Sequence, residues 1–220
     1  MFQAGSRHSV LRGLGEHATI WVNPKSIRHH VGKNFRSRKG KRPSWIGRRL
    51  RTFFKAEPFV IPAAEYVAPE PIEETTTFAR VADLHANLAD VTRSLWFRHL
   101  SEEIERNGVA WHTHRKLRSR REVADFLREY GSDLLGSMAR DGYVRRTGDD
   151  LGYCFIGADE KIHKAHKGRH RLCAAKILGL ERFPLVVVGM HEAFVRGRIG
   201  RELEPVRLRA AIRAVERACR

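Results

Sequence analysis

Helical and strand-like hydrophobic spacings alternate along this chain. Leu88, Val91, Leu95, Trp96, Leu100 and Ile104 recur at helical intervals and predict a helix running to Gly108. A second helix opens with Ser119 and Glu122, a pair in which each side chain satisfies an orphan N–H near the helix start. Val123, Phe126, Leu127 and Tyr130 share one face of that helix, and Gly131 ends or kinks it. A short helix follows over 134–143, then a strand-like run over 152–157 and a polar turn at Asp159-Glu160-Lys161. Residues 172–178 are again helical and stop at Gly179; Leu180 to Pro184 lead into an apolar strand over 185–188. The last helix starts near Pro205, with Leu208, Ile212, Val215 and Cys219 on one stripe and Arg207, Arg209, Arg213, Arg217 and Arg220 around it. Early in the chain, 19–22 reads as a short strand before the turn Asn23-Pro24.

Charge divides the same sequence differently. Residues 1–55 hold 14 Lys and Arg against Glu16 alone, residues 56–110 carry a net −6, and residues 161–220 carry +10, within an overall +17. Phe35, Trp45, Phe53 and Phe54 are interleaved with the cations of 33–55. Such an arm suits nucleic acid, an anionic membrane surface or another polyanion, or it is a solvated segment packing its rings on the protein body. Pro58, Pro62, Pro69 and Pro71 among glutamates make 56–75 read as an extended linker. The expected organisation is a basic arm and linker over 1–75, a helical segment over 76–110, a domain over 111–195 and a basic amphipathic helix over 196–220. Cys154, Cys173 and Cys219 are odd in number and widely spaced, which suits reduced thiols in a cytoplasmic protein. The arginine-rich, acid-poor N-terminus also fits an organellar transit peptide. No stretch approaches the roughly 20 apolar residues of a transmembrane helix.

The strongest chemical signal is Gly168-Arg169-His170-Arg171, set directly before a helical run. Glycine lets the backbone approach a ligand, a helix N-terminus offers unpaired N–H groups and positive potential, and the side chains add donors suited to phosphate oxygens. The alternative is an ordinary loop-to-helix junction with solvated charges. With the helix, turn and strand upstream, and Leu178-Gly179-Leu180, Pro184 and the apolar strand downstream, the segment resembles the ParB/sulfiredoxin-like superfamily over about 119–195.

The resemblance implies an α+β fold, a small mixed sheet flanked by helices at 119–140 and 169–178, with 19–22 as its first strand. It implies that Gly168, Arg169, His170 and Arg171 bind the phosphates of ATP or ADP with Mg²⁺, and that Ser137 touches the nucleotide. In sulfiredoxins a catalytic cysteine precedes the His-Arg pair; here Arg169 stands there and Cys173 lies inside the predicted helix, so that activity is not expected. Chromosome-partitioning relatives carry a helix-turn-helix and a dimerisation region, for which the 32 residues after Val188 are too few. The serine-kinase branch leaves phosphoryl transfer to the hydroxyl of a small molecule or glycan, an ATP-dependent kinase activity. The rival expectation is a protein whose nucleotide occupancy gates nucleic-acid binding through the basic arm, without catalysis.

His191, Glu192 and Asp159 are candidate bases for such a transfer, the first two because they follow a buried strand. Asp149, Asp150, Asp159 and Glu160 are candidates to face Mg²⁺, and each also reads as a turn residue. His112 with His114, and His163 with His166, are spaced like metal ligands but lack an adjoining cysteine or carboxylate at suitable spacing, so no metal site is expected.

Overall fold

The computed structural model describes residues 6–31, 58–112, 115–144, 151–200 and 202–220. Local capping chemistry sets most of its boundaries. Helix α1 (Arg7–Leu14) starts where the Ser6 hydroxyl accepts the Ser9 N–H, and β1 (Thr19–Val22) and β2 (His29–His30) follow. After β3 (Val60–Ile61) and β4 (Glu70–Pro71), Thr75 caps α2 (Thr76–Ala86) and Ser94 caps α3 (Leu95–Asn107). Strands β5 (Ala110–His112) and β6 (Arg115–Leu117) form a hairpin before α4 (Arg120–Gly131). Here the expected capping pair is present: Ser119 accepts the Glu122 N–H, while the Glu122 carboxylate reaches past the cap to the Arg118 N–H at 2.7 Å. Beyond Gly131 the helix widens into one π turn before α5 (Ser137–Asp141). Strands β7 (Gly152–Ile156) and β8 (Ile162–Lys164), helix α6 (Arg169–Ile177), strand β9 (Phe183–His191), and helices α7 (Glu192–Arg198) and α8 (Pro205–Ala218) complete the order.

The predicted helix from Leu88 to Gly108 is two elements. The Asp90 carboxylate takes the Thr92 N–H and hydroxyl, which folds 91–93 into a 3₁₀ turn, and Ser94 then starts α3 afresh. Val91 and Leu95 therefore share no helical face, and Leu88 and Leu95 are exposed. Gly108 ends α3 at φ +69°, as the sequence suggests.

The chain forms two compact units interleaved in sequence: 1–71, 147–169 and 181–220 make the first, and 72–146 with 170–180 the second. The first holds a mixed sheet in the order β1-β9-β7-β8-β2-β4, with β3 also paired to β9. Strands β7 and β9 run parallel, as do β2 and β8, while β1 is antiparallel to β9. Val31, Ile61, Phe155, Ala165 and Val188 form a core on one face. The second unit buries Leu84 of α2, Trp96 and Leu100 of α3, and Val123 and Leu127 of α4. The fold is thus α+β, a mixed sheet with helices around it.

The expected arm and linker over 1–75 need correction where the chain is described. Strands β1, β2, β3 and β4 all lie in the sheet, and Ile20, Ile27, Phe59 and Ile61 are fully buried. Pro71, read as a linker signal, sits in the edge strand β4, where a missing N–H costs no ladder bond. The basic-aromatic segment 33–55 lies outside the described residues, as do His114, Asp149 and Asp150.

Gly168 has φ +79°, and a Cβ there would stand 2.8 Å from the Cα of Gly152. Gly197, in α7, has open space around it. Gly168→Ala should therefore lower the unfolding free energy by at least about 2 kcal/mol. Gly197→Ala should leave it unchanged or raise it by up to about 1 kcal/mol. Urea titration of both variants measures the contrast.

Candidate functional site

The loop between β8 and α6 is built around a buried ammonium. Lys164 is 1 % exposed, and its Nζ donates to the carbonyls of Tyr153 (2.9 Å), Ala165 (2.7 Å) and Lys167. A lysine in so dry a place keeps its charge only when carbonyls replace its water. Those three oxygens belong to β7 and to the loop itself, so one cation ties residues 165–167 onto the strand beside them. The Tyr153 N–H also donates to the Lys167 carbonyl at 3.2 Å. Gly168 is thereby laid on Gly152, and α6 begins at the next residue.

The first turn of α6 carries the candidate phosphate ligands. In the first unit, Arg169 Nη1 lies 3.2 Å from His30 Nε2. A guanidinium only donates, so Nε2 accepts and the proton of this neutral imidazole sits on Nδ1. His30 is 5 % exposed; among the described residues its Nδ1 has no hydrogen-bond partner, and the Glu70 carboxylate lies 3.8 Å away. In the second unit, His170 stacks on Trp96 with centroids 5.6 Å apart and planes 18° from parallel, and the rings of His112 and Tyr130 are each 5.9 Å from it. Burial raises the Tyr130 phenol well above its ordinary range, against the opposing pull of the Arg171 charge. Burial, then the Arg80 charge, holds His112 below the ordinary histidine value. Ser137 hydrogen-bonds the Asp133 carbonyl through its hydroxyl, one turn back in the helix.

The candidate bases gather elsewhere. Tyr66 hydroxyl and His163 Nδ1 are 2.8 Å apart, His163 Nε2 is 3.3 Å from Asp159 Oδ1, and the His191 ring stands edge-on to Tyr66 at 4.9 Å. His191 Nδ1 accepts the Ala193 N–H and so caps α7, while the Glu192 carboxylate accepts the Ala63 N–H. Both are engaged in holding backbone. Strand alternation separates this cluster from the loop: His163 and Lys164 are consecutive in β8 and point to opposite faces. His30 is in register with Lys164, and Phe155 with His163. Arg169 and His30 therefore lie on one face of the sheet, and Asp159, His163 and His191 on the side of Phe155. The sequence points to Asp159 and His191, and to His163 only as a metal-like pair with His166; Tyr66 and His30 carry no signal, since isolated residues in segments this short show no period.

Cys154 and Cys173 are buried and Cys219 is half-buried, and none of the three is in a disulfide. Burial pushes Cys154 up to about 12, which leaves no thiolate to act as a nucleophile there. Among the described residues no group of three or more His, Cys, Asp or Glu is placed to hold a metal ion, and no helix is long and apolar enough to cross a membrane. Comparison with protein-family models, curated proteins and solved structures gives no significant match.

Two expectations follow from these contacts. Lys164→Met, similar in length but uncharged, removes the three hydrogen bonds that the ammonium donates and should cost at least about 3 kcal/mol in urea unfolding. Burial also depresses His163, with Asp159 only partly opposing it. The unfolded chain then binds the proton first, so stability is complete above about pH 6.5 and falls as pH drops toward the lower folded value. Unfolding curves at pH 7.5 and 5 should show the wild-type advantage over His163→Gln shrinking on acidification.

Proposed function

We propose that this protein is a ParB/sulfiredoxin-like nucleotide-binding protein in which Gly168, Arg169, His170 and Arg171 bind the phosphates of ATP or ADP. In this reading it transfers the terminal phosphoryl group to the hydroxyl of a small molecule or glycan. The observation that carries the reading is the forced approach of Gly168 to Gly152, with α6 starting immediately afterwards. A backbone so constrained fixes the helix N-terminus before any ligand arrives, which is what anion binding at helix N-termini exploits. Support also comes from 19–22, which enters the mixed sheet as β1, and from the position of the loop between β8 and α6.

Phosphoryl transfer asks a protein mainly for alignment and for neutralisation of charge on the transferring group. Arg169 and Arg171 supply the charge, and the α6 N-terminus supplies N–H groups. Mg²⁺ would enter on the triphosphate, where it keeps several waters and polarises the phosphoryl oxygens, so it needs no cage of side chains. Tyr66, Asp159, His163 and His191 face away from Arg169 and take no part in this transfer.

Hydrogen bonds to charged groups contribute about 1.5–3 kcal/mol each. Arg171→Ala should therefore weaken nucleotide binding on the order of 10- to 100-fold. Calorimetry of wild type and variant with ATP, ADP, CTP and GTP measures this. Absence of binding by all four at millimolar concentration removes the proposal.

A further inference from the structure

We propose that His30 is the general base of the transfer, oriented by Glu70 and masked by Arg169 until a nucleotide draws the guanidinium away. This inference rests on the phosphate-binding reading of the 168–171 loop. Three observations converge on His30. Its Nε2 is occupied by Arg169, a residue of that loop, at 3.2 Å. Its Nδ1, although buried, has no hydrogen-bond partner among the described residues, an arrangement that costs free energy unless a ligand-bound state uses it. The Glu70 carboxylate stands 3.8 Å from Nδ1 on the neighbouring strand β4, directly across the ladder from His30.

The other imidazoles of the first unit whose contacts bear on this role are otherwise engaged. His191 Nδ1 caps α7, and His163 Nδ1 is taken by Tyr66 on the opposite face. Lys164 is in register with His30 on the loop side, but its ammonium is turned to backbone carbonyls.

The masking follows from relative acceptor strength. A guanidinium bonds a phosphate far more strongly than a neutral imidazole, and often through two donors. A bound nucleotide therefore takes Arg169 and uncovers the Nε2 lone pair. Glu70 is exposed, and a small rotation brings its carboxylate within hydrogen-bonding range of Nδ1–H, completing a carboxylate–imidazole pair of the kind that activates hydroxyl nucleophiles. In the step itself, the acceptor O–H bond breaks as its oxygen bonds the γ-phosphorus. The bond from that phosphorus to the bridging oxygen breaks, ADP leaves, and the proton passes to Nε2 and then to solvent. With water as acceptor the products are ADP, inorganic phosphate and a proton.

Water is the acceptor for the test, with ATP and Mg²⁺ as reagents and the full chain as enzyme. Calorimetry should show His30→Gln binding ATP within about threefold of wild type, or more tightly. Its single-turnover phosphate release should fall by about 10²- to 10⁴-fold. Glu70→Gln should fall less, by about tenfold, at similar ATP affinity. On the unsubstituted protein, ¹⁵N spectra of His30 should show the proton on Nδ1, and the Nε2 resonance should move when ADP and Mg²⁺ are added; this readout needs no variant to fold. Wild type that binds no ATP removes the loop reading and this one with it. Wild type that binds ATP yet releases no phosphate, a His30→Gln that binds ATP and releases phosphate at the wild-type rate, or a Nε2 resonance indifferent to ADP overturns the inference about His30 and leaves the loop reading standing.

Discussion

The buried ammonium of Lys164 is the constraint on which the first unit turns. A charge placed among apolar strands is tolerable only with carbonyl oxygens around it, and the three it finds come from β7 and from the loop after β8. Those bonds decide where residues 165–167 run. Gly168 then has to lie on Gly152 in a left-handed conformation, and α6 has to start at Arg169. A lysine that nothing in the sequence singles out is the centre about which the loop is organised. The same chain path places Arg169 against His30, so the buried cation also fixes a polar contact between the start of α6 and β2.

The two faces of the sheet carry different chemistry. One has Lys164, His30 and Arg169, with Glu70 at the edge; the other has Tyr66, His163, Asp159 and His191 over the Phe155 core. Gly157 belongs to the second cluster as a space requirement, because a Cβ there would meet Asp159 Oδ1 at 2.4 Å and His163 Cε1 at 2.5 Å. The two sets are near neighbours in sequence and are separated by the thickness of a sheet. Proximity along the chain is thus a poor guide to which side chains can share a substrate, whereas strand parity is decisive.

Elements with chemical punctuation were legible in the sequence. Ser119 with Glu122 marked the start of α4, Gly108 and Gly179 marked helix ends, Pro205 opened α8, and 19–22 alternates in burial as its pattern suggested. The candidate loop was legible for the same reason, since a glycine before clustered cations is a local signal. Illegible were β2, β3 and β4, two residues each, which are too short for a period and owe their existence to partners elsewhere in the sheet. His30 was hidden with β2. The break between the 3₁₀ turn at 91–93 and α3 was hidden because Asp90 competes for backbone N–H groups through its carboxylate, which apolar spacing does not register.

The ladder of the first unit also bears on how the chain reaches its native state. Thr19 pairs with Val186 and Val60 with Met190, so two strands made early in synthesis, β1 and β3, find these partners only when β9 has emerged. Helices α2 to α5 of the second unit, by contrast, are complete by Asp141. Closing such long loops before any contact rewards them slows assembly, and it leaves strand edges unpaired while the ribosome is still adding residues. A nascent chain of this topology has β1 and β3 waiting on one late strand, and their apolar faces need shielding during that interval.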